Sequence, residues 1–359
     1  MMLIDVVKIL LPAVLSFLVG IAITPHITDY LYKNKMWKDR KKGTAVDGHG
    51  TPIFDSKLNK EMLTKTPRLG GTVIWLSAFI VGAIIWFLAR ILNLELFDKF
   101  EFISRNQTWI PFATLLIGAV VGMVDDVMEV RGSGERLAGG LSLKTRLGIV
   151  GFIGMLIGFW FFLKLGVVSI GIPLLGDLTI GWLIIPVYAI ILIAIYAGGV
   201  IDGIDGLAGG VFSIMFTAYG VIAFSLHQFD LAAFATLIVG AILAFLWFNI
   251  PPARFYMSET GSMALTMTLG IMAFMTDSLG GGIGIAVLPI IALPLVVTVL
   301  SVIIQVVSKK LRNGKKVFLV APLHHHFEAI GWPAYKVTMR YWVFSIITAS
   351  LGVIVALVM

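Results

Sequence analysis

The sequence predicts an all-α polytopic membrane protein, and three observations carry that prediction. Hydrophobic residues fill 58% of the 359 positions and only 13% are charged, against about 25% charged in an ordinary soluble domain. Mean hydropathy is +0.98. Ten stretches without Asp, Glu, Lys or Arg are long enough, or nearly so, to cross roughly 30 Å of hydrocarbon as helices. The net charge of +7 resembles that of a nucleic-acid binder, but so few charges cannot coat a water-exposed surface, so no nucleic-acid partner is expected. The absence of cysteine excludes disulfides, a thiolate nucleophile and a Cys-ligated metal.

The ten stretches are 9–28, 69–89, 106–124, 147–163, 178–201, 206–229, 231–253, 260–276, 278–308 and 341–359. Two of them, 147–163 and 260–276, have only 17 residues. The ninth is overlong and carries Gly280, Gly281, Gly282, Pro289 and Pro294. A broken or strongly tilted helix is expected there, because each proline frees a backbone carbonyl that other groups must satisfy. The opening segment does not read as a cleavable signal peptide: its only early cation is Lys8 and its apolar run is long. Segment 167–180, with Gly171, Pro173 and Gly176, reads as a short hairpin on the outer (periplasmic) side. The whole of 1–359 forms one domain in this reading, with no internal repeat of the inverted-transporter kind.

Orientation follows from the cations. If ten spans alternate, 22 of the 27 Lys and Arg fall in loops on one side, which is then cytoplasmic, and both termini lie outside. The acids crowd the ends of spans on that same side. Asp125 and Asp126 close the third span in GMVDDV, Asp202 and Asp205 follow the fifth in GGVIDGIDGLAGG, and Glu259 follows the seventh in FNIPPARFYMSETGS. His324, His325 and His326 stand in the last cytoplasmic loop, in APLHHHFEAIGW. Carboxylates and imidazoles at one membrane depth, ringed by cations, suit a metal-assisted reaction on an anionic substrate at the inner interface.

Each element also has an ordinary explanation. An acidic pair ending a helix is often just solvated, and it opposes the macrodipole there. Adjacent helical residues point about 100° apart, so Asp125 and Asp126 are expected to do separate jobs. The glycines around Asp202 and Asp205 suit plain loop flexibility, or a tight turn cradling phosphate or a base. Thr260, Gly261 and Ser262 are expected to turn and cap the following span. Tyr256 is either an interfacial belt aromatic or a stacking platform. Three consecutive histidines cannot share one helical face, so they are expected in a loop, and they make a poor zinc site. Arg146, Lys144 and Arg254 each have the ordinary role of positive-inside residues.

Taken together, PRLGG at 67–71, VDD at 124–126, GLSLKTR at 140–146, DGIDGLA at 202–208, FLWFN at 245–249, GSMAL at 261–265 and LRNGKKVFLVAPLHHHFEAIGWP at 311–333 resemble the polyprenyl-phosphate N-acetylhexosamine-1-phosphate transferases. Within that superfamily they are most similar to the phospho-N-acetylmuramoyl-pentapeptide transferase family, over nearly the whole chain. The resemblance implies a single integral membrane transferase domain in the bacterial inner membrane, with its active site on the cytoplasmic face. It implies transfer of phospho-MurNAc-pentapeptide from UDP-MurNAc-pentapeptide to the membrane lipid undecaprenyl phosphate, giving lipid I and UMP, with Mg2+. A homodimer is consistent with it.

Position by position, Asp125 falls where the family has its base on the lipid phosphate, Asp126 is a second site acid, and Glu259 occupies the metal-binding aspartate position. Gly203, Ile204 and Asp205 match the uridine-binding turn, and Tyr256 matches the aromatic that stacks on uracil. Asp202, Asn249, His324, His325 and His326 match further polar positions, with His324 grouped with the catalytic acids, and Arg146 occupies a cationic one. The chain departs from the family at Ser258-Glu259 (usually Gly-Asp), at Glu129 (usually lysine), at Gly199 (usually Asn) and at Leu63 (usually lysine, with Lys65 nearby). PRLGG and VIDGIDGL look more like the branch that transfers GlcNAc-1-phosphate, which keeps that donor open. A non-catalytic homologue and a lipid transporter are the remaining alternatives.

Overall fold

A computed structural model describes residues 2–37, 65–92, 97, 99–133, 140–277 and 279–358. The described chain is almost wholly helical: α1 (Met2–Lys33), α2 (Thr72–Arg90), α3 (Trp109–Val130), α4 (Leu143–Lys164), α5 (Ile184–Ala197), α6 (Leu207–Ser225), α7 (Phe229–Asn249), α8 (Ser258–Thr276), α9 (Gly284–Ile291), α10 (Leu293–Leu311), α11 (Leu323–Ala329) and α12 (Ala334–Val358). Nine helical segments among the described residues are long and apolar enough to cross a membrane, so this is a multi-pass membrane protein. Position 63, the site of one departure, lies outside the described residues.

The eighth predicted span, 260–276, is α8, and it is absent from those nine. Its Ser and Thr residues lower its hydropathy, and its environment explains why that is tolerated: every residue of α8 except Glu259 is buried. A helix sheathed by other helices need not be apolar to lipid. Its hydroxyls turn back onto its own carbonyls, Thr266 onto Ser262 O at 2.7 Å, Thr268 onto Ala264 O at 2.7 Å and Thr276 onto Met272 O at 2.8 Å.

Glycines let neighbouring helices close on α8. Gly118 and Gly122 of α3 face it. A Cβ on Gly118 would lie 2.9 Å from Ala264 Cα, and one on Gly122 would enter the Glu259 backbone. This small-xxx-small face sets the helix axes close together. Asp126 continues the same i, i+4 series, so it is delivered straight to the amino end of α8. Small residues also join α4 to α5, where Gly154 meets Ala189 and Gly158 meets Ile185.

The ninth span breaks as expected. α9 ends at Ile291, Ala292 intervenes, and Pro294 sits in the first turn of α10. The outer hairpin is also present: β1 (Ser169–Ile172) pairs antiparallel with β2 (Gly176–Thr179), Ile172 opposite Gly176. Two expectations are corrected. The third helix runs on to Val130, so Asp125 and Asp126 lie inside it rather than at its end. The three histidines lie on the short helix α11, not in a loop. Seven residues make barely two turns, so the rings need not share a face: His324 and His325 turn inward and His326 outward.

Candidate active site

The first turn of any helix leaves backbone N–H groups without intrahelical partners and carries partial positive charge. In α8 those groups are met by carboxylates from elsewhere in the chain. Ser258 N donates to Asp202 Oδ2 at 2.8 Å, Glu259 N to Asp126 Oδ1 at 3.3 Å, and Thr260 N to Asp126 Oδ2 at 2.8 Å. The Thr260 hydroxyl adds a 2.6 Å bond to the same oxygen. Thr260 and Ser262 therefore do not cap α8, as the sequence suggested; they lie inside the helix, and Asp126 caps it from α3. Charged hydrogen bonds of this kind contribute roughly 1.5–3 kcal/mol each.

Asp125, about 100° around α3, points elsewhere. Its Oδ1 accepts Leu141 N at 2.5 Å, and its Oδ2 lies 3.4 Å from Arg146 Nη1. The same Nη1 is bonded to Glu259 Oε1, whose other oxygen is 3.4 Å from the Tyr196 hydroxyl and 3.5 Å from Ser262 Oγ. Two carboxylates on different helices thus converge on one cationic point. Arg146 is placed by the start of α4, where Ser142 accepts Thr145 N at 3.1 Å as an N-cap.

The glycine turn lies alongside. Asp202 follows a 3-10 turn (Gly198–Ile201) and ties to α8 as described. A Cβ on Gly203 would run into His324 Nε2 and come within 2.9 Å of His325 Nε2, so only glycine lets this turn meet α11. Ile204 is buried in the core. Gly206 takes φ +76°, a left-handed value that suits glycine. Asn249 staples the turn to the next loop, accepting Gly206 N at 2.9 Å and donating to Phe255 O at 2.8 Å. Asp205 accepts Ala253 N at 3.3 Å. Tyr256 is fixed through its backbone, with Tyr256 N donating to Pro67 O and Gly70 N donating to Tyr256 O, both at 2.8 Å.

His324 is fully buried, and neither ring nitrogen has a hydrogen-bond partner among the described residues. Burial, with the neighbouring His325, pushes its imidazole well below the usual histidine range, so it is neutral at pH 7. His325 Nδ1 lies 2.8 Å from Glu328 Oε2, and His326 Nδ1 accepts Leu319 N at 3.2 Å. Lys65 is exposed and makes no hydrogen bond or ion pair among the described residues. The structure thus joins Asp125, Asp126, Arg146, Glu259 and Asp202 in one bonded cluster, with Gly203, His324 and His325 beside it. Tyr196 and Arg68, neither singled out in the sequence, join the cluster too.

The donor set fits a divalent cation. Asp125 and Glu259 offer hard oxygens around one point, and Mg2+ commonly takes one or two carboxylates and completes its shell with waters and substrate phosphates. Among the described residues no three His, Asp or Glu side chains cage a metal by themselves.

Comparison with known proteins supplies the class. Residues 108–277 match the model of glycosyl transferase family 4. Its relatives narrow that class. The phospho-N-acetylmuramoyl-pentapeptide-transferase of Geobacillus thermodenitrificans (strain NG80-2) is 30% identical over 353 residues, 96% of this chain and 97% of the relative. The enzyme of the same name from Shouchella clausii (strain KSM-K16) is 34% identical over 349 residues, 95% of each chain, and that from Bacillus subtilis (strain 168) is 30% identical over 353 residues, 96% of this chain and 97% of the relative. The chain belongs to the phospho-N-acetylmuramoyl-pentapeptide-transferase family.

Proposed function

We propose that this transferase moves phospho-MurNAc-pentapeptide from UDP-MurNAc-pentapeptide to undecaprenyl phosphate, releasing UMP and forming lipid I, at the cytoplasmic face of the bacterial inner membrane. The observation that carries the reading is the convergence of Asp125 and Glu259 on Arg146 at the amino end of a buried helix, beside a glycine turn. Both substrates are phosphorylated anions, one lipid-borne and one soluble. They meet only at an interface, and the side holding 22 of 27 cations favours the inner one.

In the reaction an oxygen of the lipid phosphate forms a bond to the sugar-bearing phosphorus of the donor, and the bond from that phosphorus to the bridging oxygen of UMP breaks. Asp125 acts as base on the lipid phosphate, and Arg146 offsets charge on the diphosphate. Asp126 and Asp202 hold the start of α8 so that Glu259 stays aimed at the site. The turn at Gly203, Ile204 and Asp205, with Tyr256 and Asn249, receives the uridine end. His324, His325 and His326 add polar groups beside that turn, and Lys65 serves the phosphates. Glu259 would hold Mg2+, which when bound supplies charge neutralisation at the diphosphate and the leaving UMP. Association as a homodimer completes the proposal.

A second reading, transfer of GlcNAc-1-phosphate, is favoured by PRLGG at 67–71 and VIDGIDGL at 200–207. Purified protein supplied with undecaprenyl phosphate, Mg2+ and either UDP-MurNAc-pentapeptide or UDP-GlcNAc separates the two. UMP release from the pentapeptide donor is expected. Release from UDP-GlcNAc alone would sink the first reading.

A further inference from the structure

Asp125, Asp126 and Glu129 place three acids within two turns of α3, an arrangement that repels itself. Arg68 reaches them from the loop ahead of α2. Its Nη1 lies 2.5 Å from Glu129 Oε2 and 3.7 Å from Asp126 Oδ1. The loop is held as a short ladder. Arg68 N donates to Met36 O at 2.7 Å, and the bonds between Pro67, Gly70 and Tyr256 are extended by Gly71 N to Met257 O at 3.1 Å. A Cβ on Gly70 would lie 2.6 Å from Tyr256 O, so glycine is needed for this approach. The segment that opens α8, and so carries Glu259, also fixes Arg68. Both side chains of the Arg68–Glu129 pair are mostly buried, 17% and 14% exposed, so their attraction is screened less than on a free surface.

We propose that Arg68 and Glu129 are a working charge pair: the loop supplies the cation beside Asp126, and Glu129 is the positioning residue that holds it there. Asp125, Asp126, Asp202, Glu129 and Glu259 outnumber Arg68 and Arg146 in the cluster, an excess of acids that suits a cation. The pair thereby tunes the cluster for a divalent ion with its phosphates. This inference rests on the proposed reaction only for its activity assay.

The test reads Mn2+ binding to the purified protein by calorimetry, with UMP release and thermal midpoint measured alongside. R68A adds one net negative charge and is expected to tighten Mn2+ about tenfold, whereas E129R removes two and weakens it by more than that. The swap R68E/E129R restores the original charge and is expected to bring Mn2+ affinity and UMP release back towards wild type. R68Q/E129Q keeps the net charge but removes the pair, so Mn2+ affinity stays near wild type while UMP release drops about tenfold. A swap no better than E129R at an unchanged thermal midpoint, or R68A with wild-type Mn2+ affinity, overturns the proposal. Should the swap fail to fold, R68Q/E129Q turning over like wild type overturns it equally. Absence of UMP release from wild type itself would refute the proposed reaction, and the Mn2+ series would still decide the pair.

Discussion

Both ends of α8 are held by buried carboxylates, yet the two ends are built for different purposes. At its carboxyl end Asp277 accepts Gly171 N and Ile285 N, each at 3.0 Å, and so clasps the hairpin strand β1 to the start of α9. These are backbone donors that would otherwise be stranded in a dry interior, and satisfying them explains the residue. At the amino end Asp126 and Asp202 do similar work for the first turn of α8. Asp125, Glu259 and Glu129 are additional, and they are met by the guanidiniums of Arg146 and Arg68. Burying ion pairs is an inefficient way to stabilise a fold. The excess of charge at one end therefore marks chemistry, and the economy at the other marks architecture.

The sharpest way to break this comparison is Asp125→Asn. It keeps the side chain's shape and is expected to lower UMP release per folded molecule by about a thousandfold or more, as loss of a base commonly does. Next, Gly203→Ala drives a methyl group into His324 and His325. Turnover should fall by about tenfold or more as the turn is forced off α11, in line with the cost of misplacing reacting groups. Glu259→Gln should leave turnover measurable at saturating metal but raise the Mg2+ concentration needed by about tenfold; unchanged metal dependence would defeat Glu259 as a ligand.

The carboxyl end should behave in the opposite way. Asp277→Asn leaves one of its two N–H donors unmet and is expected to cost about 1–3 kcal/mol of stability, with turnover per folded molecule unchanged. The smallest effect concerns His324. Its folded pKa is depressed by burial, so below about pH 6.5 the unfolded chain takes up a proton that the folded chain does not. Stability should therefore fall as pH drops from 7 to 5, by at most about 1.4 kcal/mol per pH unit, and the slope should flatten in His324→Gln.

The spans, the broken ninth helix and the hairpin were legible because apolar run length, proline and glycine act locally. α8 was harder to read, since its hydroxyls mimic a polar segment until the surrounding helices are seen. The capping of α8 was misread for a related reason: Thr260 and Ser262 look like caps in sequence, but the true acceptor, Asp126, is 134 residues away. The histidines were assigned to a loop because three rings cannot share a face, yet a two-turn helix wedged between the core and the surface does not ask them to. Arg68 escaped notice inside a motif. Its only signal was Glu129, an acid among acids that needed a cation from somewhere.

The most direct measurement is UMP release by wild type, Asp125→Asn and Asp277→Asn in vesicles containing undecaprenyl phosphate and supplied with UDP-MurNAc-pentapeptide and Mg2+. Wild type and Asp277→Asn should turn over equally per folded molecule, and Asp125→Asn should release no UMP above background. Turnover by Asp125→Asn at the wild-type rate, or its loss in well-folded Asp277→Asn, would contradict the division between a chemical end and an architectural end of α8.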